Sequence, residues 1–267
     1  MTSDSLRPAK WKYAYTSAVG TSHVKLGTEC QDTSLCNLLQ LRDGNELLVA
    51  VVADGAGSAT KAGLGSTIAA TELIETITDL FAGGSQIEDI SREFVLKLVS
   101  AFRNVLTSVA EEERADVKQF ATTLLAAIVG PESAVFFQIG DGAIVFSKRD
   151  QPDEYSWAFW PQQGQYVNQT YFLTDDDAIE KVEYKYITEP IDELALFTDG
   201  LQVIALHFQT QTAHAPFFRA MFKPLYGAVS GYLKDLSNSL AAYLDSPAVN
   251  QRTDDDKSLI LAGRRSA

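Results

Sequence analysis

Three apolar segments of this chain end in the same dipeptide, Asp-Gly, and their aspartates are the first candidates for chemistry. The segments are LLVAVVADG, AVFFQIGDG and ELALFTDG, and the aspartates are Asp54, Asp141 and Asp199. A fourth apolar segment, SLILA, is entered through the acidic run at 254–256. An ionised carboxylate beside a buried strand is costly unless it is hydrogen-bonded, paired with a cation or bound to a metal. Four such positions predict a sheet whose strand ends converge on a cation site.

The alternative interpretation of Asp-Gly is a tight hairpin turn, because glycine accepts positive φ and aspartate tolerates it. Asp43 and Gly44 fit such a turn, since they join two strand-like runs in LLQLRDGNELLVAVV. Asp54 is different, because a small-residue loop and a helical pattern follow it rather than a returning strand. At Asp54 the pattern therefore favours a functional carboxylate.

Composition and charge exclude several classes of function. The chain has 46% hydrophobic and 21% charged residues, as in ordinary globular proteins. Its net charge of −13 argues against binding to nucleic acid or to an anionic membrane surface, since both need a cationic patch. No apolar stretch approaches the roughly 20 residues that span a bilayer, and the N-terminus lacks the apolar core of a signal peptide. The expected location is therefore the cytoplasm.

Sequence motifs of other enzyme classes are missing. Cys30 and Cys36 lack the CxxC spacing of a zinc or redox pair and are expected to be reduced thiols. The chain has no HExxH, GxSxG or GxxxxGKS/T pattern, which leaves little support for zinc-protease, serine-hydrolase or P-loop chemistry. No appended sensor or membrane segment is evident either, so we expect regulation through a separate protein or through the supply of metal.

The periodicity of apolar residues predicts the elements that position these side chains. Helical spacing occurs in the segments 60–84, 87–114, 212–229 and 230–246. We expect an antiparallel meander from 121–130, 133–140 and 143–149, a further strand at 155–162, and a strand pair from 183–190 and 193–200. The order of elements predicts an α+β fold: a four-layer α/β/β/α sandwich of two antiparallel sheets flanked by helix pairs, in one domain over residues 1–267.

Six motifs follow one another along most of the chain. They are HVKLGTECQDTS, VVADGAGSATKAGLGS, ATTLLAAIV, FFQIGDGAIVF, ELALFTDGL and TDDDKSLILA. From about Gly20 to Leu261 this order resembles that of the PP2C-type metal-dependent protein serine/threonine phosphatases. Cys-Gln-Asp in the first motif, Gly-Asp-Gly in the fourth and the segment GQYVNQTYFLTD at 164–175 look like the compact bacterial branch of that family.

The resemblance implies hydrolysis of phosphoserine or phosphothreonine by a water activated between two Mg²⁺ or Mn²⁺ ions. These cations prefer oxygen ligands, which suits a site rich in aspartate. By motif, Asp54 would bridge the two metals and Gly55 would offer its backbone carbonyl to the second metal. Asp199 and Asp255 would complete the ligand shell of the first metal.

Two further aspartates have implied roles with open alternatives. Asp32 would hold the second metal or its waters, although an aspartate after a polar loop is also a common turn or helix-cap residue. Asp141 would help to bind a weaker third metal, with a hairpin turn between FFQIG and AIVF as the alternative. In the run at 254–256, alignment with the family's Asp-Asn-x-Thr selects Asp255 as the ligand, with Asp256 in the Asn place and Ser258 in the Thr place.

The main departure from the family pattern lies near the N-terminus. Many relatives place an arginine five residues before the first-motif aspartate, where its planar fork grips the substrate phosphate. Here that position is Gly27. His23 is the candidate that replaces the arginine, as a phosphate ligand or as a general acid toward the leaving alkoxide, and Lys25 is a second cation nearby. The change is expected to weaken phosphate binding more than the metal chemistry.

An aromatic and amide-rich segment at 152–178 is expected near the rim of the metal cleft. Trp157, Phe159 and Trp160 are predicted to be core residues, since aromatic side chains dominate buried area. Asn168 and Thr170 are the better candidates for substrate contact, because they are polar residues of a loop.

Three functions remain open from the sequence alone. The first is an active phosphatase of phosphorylated proteins, with a serine/threonine kinase as the expected partner. The second is a catalytically weak or inactive relative that serves as a regulatory or phospho-binding module, and the retention of costly carboxylates at 54, 199 and 255 counts against it. The third is a nucleotide-binding protein suggested by VVADGAGS, but its glycine spacing departs from GxGxxG and an aspartate there would repel a pyrophosphate.

Overall fold

A computed structural model describes residues 10–162 and 170–265 of the chain. The strands in these ranges are β1 (Lys12–Ala18), β2 (Thr33–Gln40), β3 (Glu46–Ala53), β4 (Leu124–Val129), β5 (Ala134–Ile139), β6 (Ala143–Lys148), β7 (Ser156–Trp157), β8 (Glu183–Ile187), β9 (Ile191–Phe197), β10 (Leu206–His207), β11 (Thr212–Ala213), β12 (Gly231–Tyr232) and β13 (Lys257–Gly263).

The helices include two long ones in succession, as the sequence predicts, and two shorter ones near the C-terminus. They are α1 (Thr21–Leu26), α2 (Ala62–Ala82), α3 (Arg92–Glu112), α4 (Ala178–Lys181), α5 (Gln202–Ala205), α6 (Ala215–Tyr226), α7 (Lys234–Leu244) and α8 (Pro247–Asn250). Ser91 caps α3, because its hydroxyl accepts a hydrogen bond from the backbone N–H of Phe94. None of the helices in the described ranges has the length and apolar character needed to cross a membrane.

The strands form two main sheets. One has the order β12-β1-β13-β9-β6-β7 and the other the order β2-β3-β4-β5-β8, and β10 and β11 form a separate small hairpin. All pairings within the five-stranded sheet are antiparallel, and in the six-stranded sheet only β1 and β12 run parallel. The predicted hairpin of β2 and β3 is confirmed, with Asp43 in its turn accepting a hydrogen bond from the backbone N–H of Asn45.

Alternating side chains of the central strands face different cores. In β3, Leu47 and Val49 pack with α2 and α3, whereas Leu48 and Ala50 pack between the two sheets. A third core lies between the six-stranded sheet and the helices α6 and α7, and Phe218 is fully buried there. Strands that are buried on both faces have continuous apolar sequences. Three cores between four layers confirm the predicted α/β/β/α sandwich.

Two predicted strand pairings are wrong. β4 and β5 pair as expected, but β6 leaves them and joins the other sheet beside β9, so the three strands do not form a meander. Similarly, β8 pairs with β5 while β9 lies between β13 and β6, so the segments 183–190 and 193–200 do not pair with each other. In both cases a short connection crosses between the sheets, and local sequence carries the same turn signal for a crossing as for a hairpin.

The segment 155–162 contains only the short strand β7, although its aromatic residues are placed as predicted. Phe159 is buried between the two sheets, and Trp157 and Trp160 pack against the third core. The indole N–H of Trp157 donates a hydrogen bond to the carbonyl of Gln211 at 2.9 Å, which ties this segment to the β10–β11 hairpin.

Candidate active site

The strand register brings the aspartate-bearing strand ends to one end of the sandwich. In the five-stranded sheet, the first residue of β2, Thr33, pairs with the last residue of β3, Ala53. In the six-stranded sheet, Phe197 at the end of β9 pairs with Ala143 at the start of β6 and with Leu259 near the start of β13. The predicted aspartates are next to these paired strand ends in sequence, so the two sheets bring them to the same end of the sandwich.

Four of the predicted aspartates line one polar cleft of about 390 Å³: Asp54, Asp141, Asp199 and Asp255. Gly55 lines the same cleft. Asp54 and Asp199 are partly exposed to the cleft but enclosed elsewhere by protein, whereas Asp255 is exposed. The structure therefore confirms the prediction that these strand ends lie close together.

The backbone around Asp54 is held by a threonine pair at the head of β4. Asp54 donates its backbone N–H to the hydroxyl of Thr123 at 2.9 Å and accepts the N–H of Thr123 at its carbonyl at 2.8 Å. The hydroxyl of Thr122 donates to the same carbonyl at 3.1 Å. Gly55 then passes so close to the carbonyl of Gln31 that an added Cβ would lie 2.7 Å from its oxygen. A residue with a side chain does not fit there without movement of the backbone.

Asp141 does not lie in a hairpin turn. Its neighbours β5 and β6 belong to different sheets, and Gly140 crosses between them with φ of +118°, which favours glycine. A Cβ at Gly140 would lie 2.5 Å from the side chain of Thr123. The side-chain amide of Gln202, on α5, donates a hydrogen bond to the backbone carbonyl of Asp141. This crossing holds Asp141 at the cleft.

Burial and mutual repulsion raise the pKa values of the clustered carboxyls. The pKa of Asp54 lies well above its ordinary value, first because of burial and then because of the charges of Asp32, Asp199 and Asp141. Burial, followed by the charge of Asp199, raises the pKa of Asp141 to about 7. The pKa of Asp199 is raised by burial and by the charge of Asp255. Without a cation, this group of acids resists full ionisation.

Asp32 lies behind the cleft and is 7% exposed. Its Oδ2 accepts a hydrogen bond from the hydroxyl of Thr198 at 2.7 Å, whereas its Oδ1 is buried without a hydrogen-bond partner among the described residues. Burial, followed by the charges of Asp256 and Asp199, raises the pKa of Asp32 to about 8. A solvated turn residue would show none of this, so the structure rejects that alternative.

The donor set suits hard divalent cations. Oδ1 of Asp32 and Oδ1 of Asp199 are buried oxygens without hydrogen-bond partners among the described residues. Such oxygens are rare in proteins and call for an ion or a water. Within residues 10–162 and 170–265, no group of three His, Cys, Asp or Glu side chains is already arranged to hold one ion. Mg²⁺ keeps several waters and needs only one or two carboxylates, so it does not require such a group.

The acidic run at 254–256 has the register that the family alignment selects. Asp255 faces the cleft, whereas Asp256 is only 3% exposed and turns into the protein. Asp256 accepts the backbone N–H of Gly20 at Oδ1 and that of Gln31 at Oδ2, both at 2.6 Å. It therefore ties the first motif to β13. Sequence analysis placed Asp256 in the Asn position of the motif but did not predict these two hydrogen bonds, and only its position next to an apolar strand indicated burial.

His23, on α1, lies beside this carboxylate rather than in the cleft wall. Its Nδ1 lies 2.8 Å from Oδ2 of Asp256, which is close enough for an ion pair. The two atoms are not aligned as in a hydrogen bond. The other ring nitrogen, Nε2, is close to Gly57, which lines the cleft: a Cβ added to Gly57 would lie 3.8 Å from it. The imidazole thus lies at the edge of the site, and its catalytic role stays a prediction.

Gly27 occupies a position that requires a left-handed backbone. It ends α1 with φ of +70°, and its N–H bonds to the carbonyl of Val24 at 3.2 Å. Glycine adopts this conformation more readily than arginine does, so the residue found here suits the end of α1. Lys25, the other nearby cation, is exposed.

The far rim of the cleft comes from the segment predicted to lie there. Pro161, Gln162, Thr170 and Phe172 line it, so the prediction for Thr170 agrees with its placement. Asn168 lies outside the described residues. Gln202, which sequence reasoning missed, also lines the cleft, and a glutamine three residues after the aspartate of the fifth motif carries no distinctive signal.

Comparisons of the whole chain with known structures show the fold. A bacterial serine phosphatase has a TM-score of 0.60 at 16% identity, with 96% of this chain and 98% of that chain covered. Stp1 of Staphylococcus aureus, a serine/threonine phosphatase, has a TM-score of 0.59 at 15% identity, with 94% of each chain covered. RsbX in complex with magnesium has a TM-score of 0.56 at 15% identity, with 96% of each chain covered.

Comparisons of sequence show more than the fold. The family model described as protein phosphatase 2C matches residues 19–245. Over 253 residues the chain is 37% identical to serine/threonine-protein phosphatase 3 of Escherichia coli (strain K12), covering 94% of this chain and 98% of that protein. Agreement over this length shows that the chain, with its acidic cleft, is a phosphatase and a member of the protein phosphatase 2C family.

Proposed function

We propose that the chain is one phosphatase domain that hydrolyses phosphoserine and phosphothreonine in proteins and depends on Mn²⁺ or Mg²⁺. The observation that carries the proposal is the convergence of four aspartates on one polar cleft, with a fifth behind it, where buried oxygens lack partners among the described residues. Such a concentration of carboxyls ionises fully at neutral pH only when cations neutralise the charge. A phosphoryl group brings further negative charge, which strengthens the need for metal.

The residues that would hold the metals follow from their placement. Asp54 would contact both ions, with the carbonyl of Gly55 at one of them. No hydrogen bond to this carbonyl occurs among the described residues, which leaves its oxygen available. Asp199 and Asp255 would serve the other ion, and Asp32 would bind the second ion or its waters from behind the cleft. When bound, the two ions would lower the pKa of a shared water and neutralise the phosphoryl oxygens.

The chain's own residues would position the substrate. His23 would face the phosphoryl group through Nε2, where it can donate a hydrogen bond to an oxygen or a proton to the leaving alkoxide. Asp256 would keep the imidazole near the cleft by its charge and by fixing the loop before α1. Asp141, beside the main pair, is the proposed ligand of a weaker third metal. Thr170 and Gln162 would border the bound peptide.

The proposed substrate class is a cytoplasmic phosphoprotein, with a serine/threonine kinase as the enzyme that supplies it. The chemistry demands such a kinase, because hydrolysis of a phosphoprotein needs prior phosphoryl transfer to a hydroxyl side chain. The relative from Escherichia coli is named a serine/threonine-protein phosphatase, which supports the same substrate class for this chain.

The test is hydrolysis of p-nitrophenyl phosphate and of a phosphothreonine peptide with Mn²⁺, Mg²⁺ or EDTA. Wild type should turn over both compounds with metal, and EDTA or Asp54→Asn should abolish turnover. Asp43→Asn is the matched control, because it makes the same chemical change in an exposed turn and should leave turnover intact. Metal binding in calorimetry without turnover on either compound would contradict the proposal and support the non-enzymatic module.

A further inference from the structure

A second cavity of about 380 Å³ lies on the other side of α5 from the acidic cleft and is nearly as large. We call it the α5 pocket. Its apolar wall includes Val203, Leu206 and Val249, and its polar wall is formed by His207, His214 and Arg252. An apolar pocket with a few convergent polar groups is the usual form of a binding site.

The charge of the α5 pocket is opposite to that of the molecule. The chain carries a net charge of −13, yet no Asp or Glu is among the described residues that line this pocket. Arg252 is exposed and forms no ion pair within the described part of the chain. Asp245, a carboxylate nearby in sequence, accepts a hydrogen bond from the side-chain amide of Asn250. The guanidinium is available to an external anion.

The histidine wall is held in place before any ligand arrives. Nδ1 of His214 and Nε2 of His207 lie 2.6 Å apart in a hydrogen bond, and this leaves the second nitrogen of each ring outside that bond. His207 belongs to the β10–β11 hairpin, and the backbone N–H of His214 donates to the carbonyl of Ala205 at 2.8 Å. The contact from Trp157 to Gln211 anchors the tip of the same hairpin. Preorganised donors lose less entropy when they bind.

The pocket and the acidic cleft share one short helix. Gln202, the first residue of α5, lines the cleft, and Val203, the next residue, lines the α5 pocket. A helix with its side chains is about 10–12 Å across, and an extended peptide covers about 3.3 Å per residue. A peptide whose phosphorylated residue enters the cleft can therefore reach the pocket within a few residues.

We propose that the α5 pocket binds an acidic side chain, Asp or Glu, of the protein substrate a few residues from the phosphorylated one. Arg252 would pair with the carboxylate, the one imidazole N–H that the His207–His214 hydrogen bond leaves free would donate to it, and the apolar wall would contact its methylenes or a neighbouring apolar residue. The proposal rests on the proposed function, since it assigns a sequence preference to the same reaction. It also explains how a phosphatase with a glycine in place of the family's phosphate-binding arginine gains substrate affinity from outside the cleft.

The test compares three substrates: p-nitrophenyl phosphate, a phosphothreonine peptide with Glu at positions two to four residues from the phosphothreonine on both sides, and the same peptide with Gln there. Wild type should show a kcat/KM on the order of tenfold higher for the Glu peptide, mostly through KM, as expected for a charged hydrogen bond. Arg252→Gln should remove that preference and leave p-nitrophenyl phosphate turnover unchanged. Arg92→Gln is the control, because Arg92 is an exposed arginine on α3, in the opposite helical layer, and pairs with no acid of the described ranges.

The outcomes separate the two proposals. Equal kcat/KM for the Glu and Gln peptides, or a preference that survives in Arg252→Gln, would overturn the α5 pocket proposal while p-nitrophenyl phosphate turnover still supports the phosphatase. If wild type hydrolyses none of the three, the proposed function fails. Binding of the fluorescein-labelled Glu peptide then decides the pocket: loss of binding in Arg252→Gln supports it, and unchanged binding rejects it.

Discussion

Replacement of Asp141 by Asn should stabilise the metal-free protein. Burial and the charge of Asp199 raise the pKa of this carboxyl from 3.8 to about 7. At ~1.4 kcal/mol per pKa unit, about three units correspond to a destabilisation of ~4 kcal/mol at pH 8. Asp141 opens on a hydrated cleft, which makes this an upper bound, and we expect a gain of about 1–3 kcal/mol. For a chain of this size that is an increase in Tm of roughly 3–10 °C.

The gain should depend on pH with a definite sign. A carboxyl whose pKa is raised in the folded protein retains a proton that the unfolded chain releases. Below 3.8 both states are protonated and the carboxyl costs nothing, and the destabilisation grows as the pH rises toward about 7. The stabilisation by Asp141→Asn should therefore be roughly two- to threefold larger at pH 8 than at pH 5.

The assay is urea denaturation of EDTA-treated wild type and variant at pH 5 and pH 8. Asp43→Asn is the control, because Asp43 is exposed and its pKa is lowered by hydrogen bonds from Asn45, so this variant should gain nothing at either pH. A loss of stability in Asp141→Asn at pH 8, or a gain that is the same at both pH values, would refute the reasoning from burial and repulsion.

Three other perturbations have definite expected results. Gly65→Ala should destabilise by about 1–3 kcal/mol in urea denaturation, because its Cβ would collide with the carbonyl oxygen of Phe120, whereas Gly63→Ala on the same helix has room and should be neutral or stabilising by up to ~1 kcal/mol. Asp256→Asn should cost about 1–3 kcal/mol in the same assay, because one of two backbone N–H groups loses its acceptor. His23→Gln should lower kcat on the order of 100-fold while Mn²⁺ binding in calorimetry is unchanged.

Each of these three predictions has a result that contradicts it. Equal stabilities of the two glycine variants would mean that α2 does not approach Phe120 as closely as described. Unchanged stability of Asp256→Asn would show that this carboxylate does not hold the first motif. Full activity of His23→Gln would remove the histidine from the chemistry and leave phosphate binding to the metals alone.

The layers of the fold were predictable because burial on both faces leaves a mark on the sequence. β3 is apolar at every position after Glu46, and α3 carries an apolar stripe, since each layer contacts a core. The division of the strands between two sheets was not predictable in the same way. Gly140, Asp141 and Gly142 satisfy the rules of a hairpin, and only the pairing of β6 with β9 makes them a crossing.

The order of six motifs predicted the family. Apolar periodicity and the Asp-Gly positions, which are local properties of the chain, predicted the α/β/β/α sandwich and the strand ends at which carboxylates meet. The roles of those carboxylates as metal ligands stay predictions. Tertiary contacts alone show that the buried Asp256 ties the first motif to β13, and that Arg252 joins two histidines in a pocket beside α5. Neighbouring residues with the same side chain, and residues far apart in the chain, are distinguished only by the packing of the whole molecule.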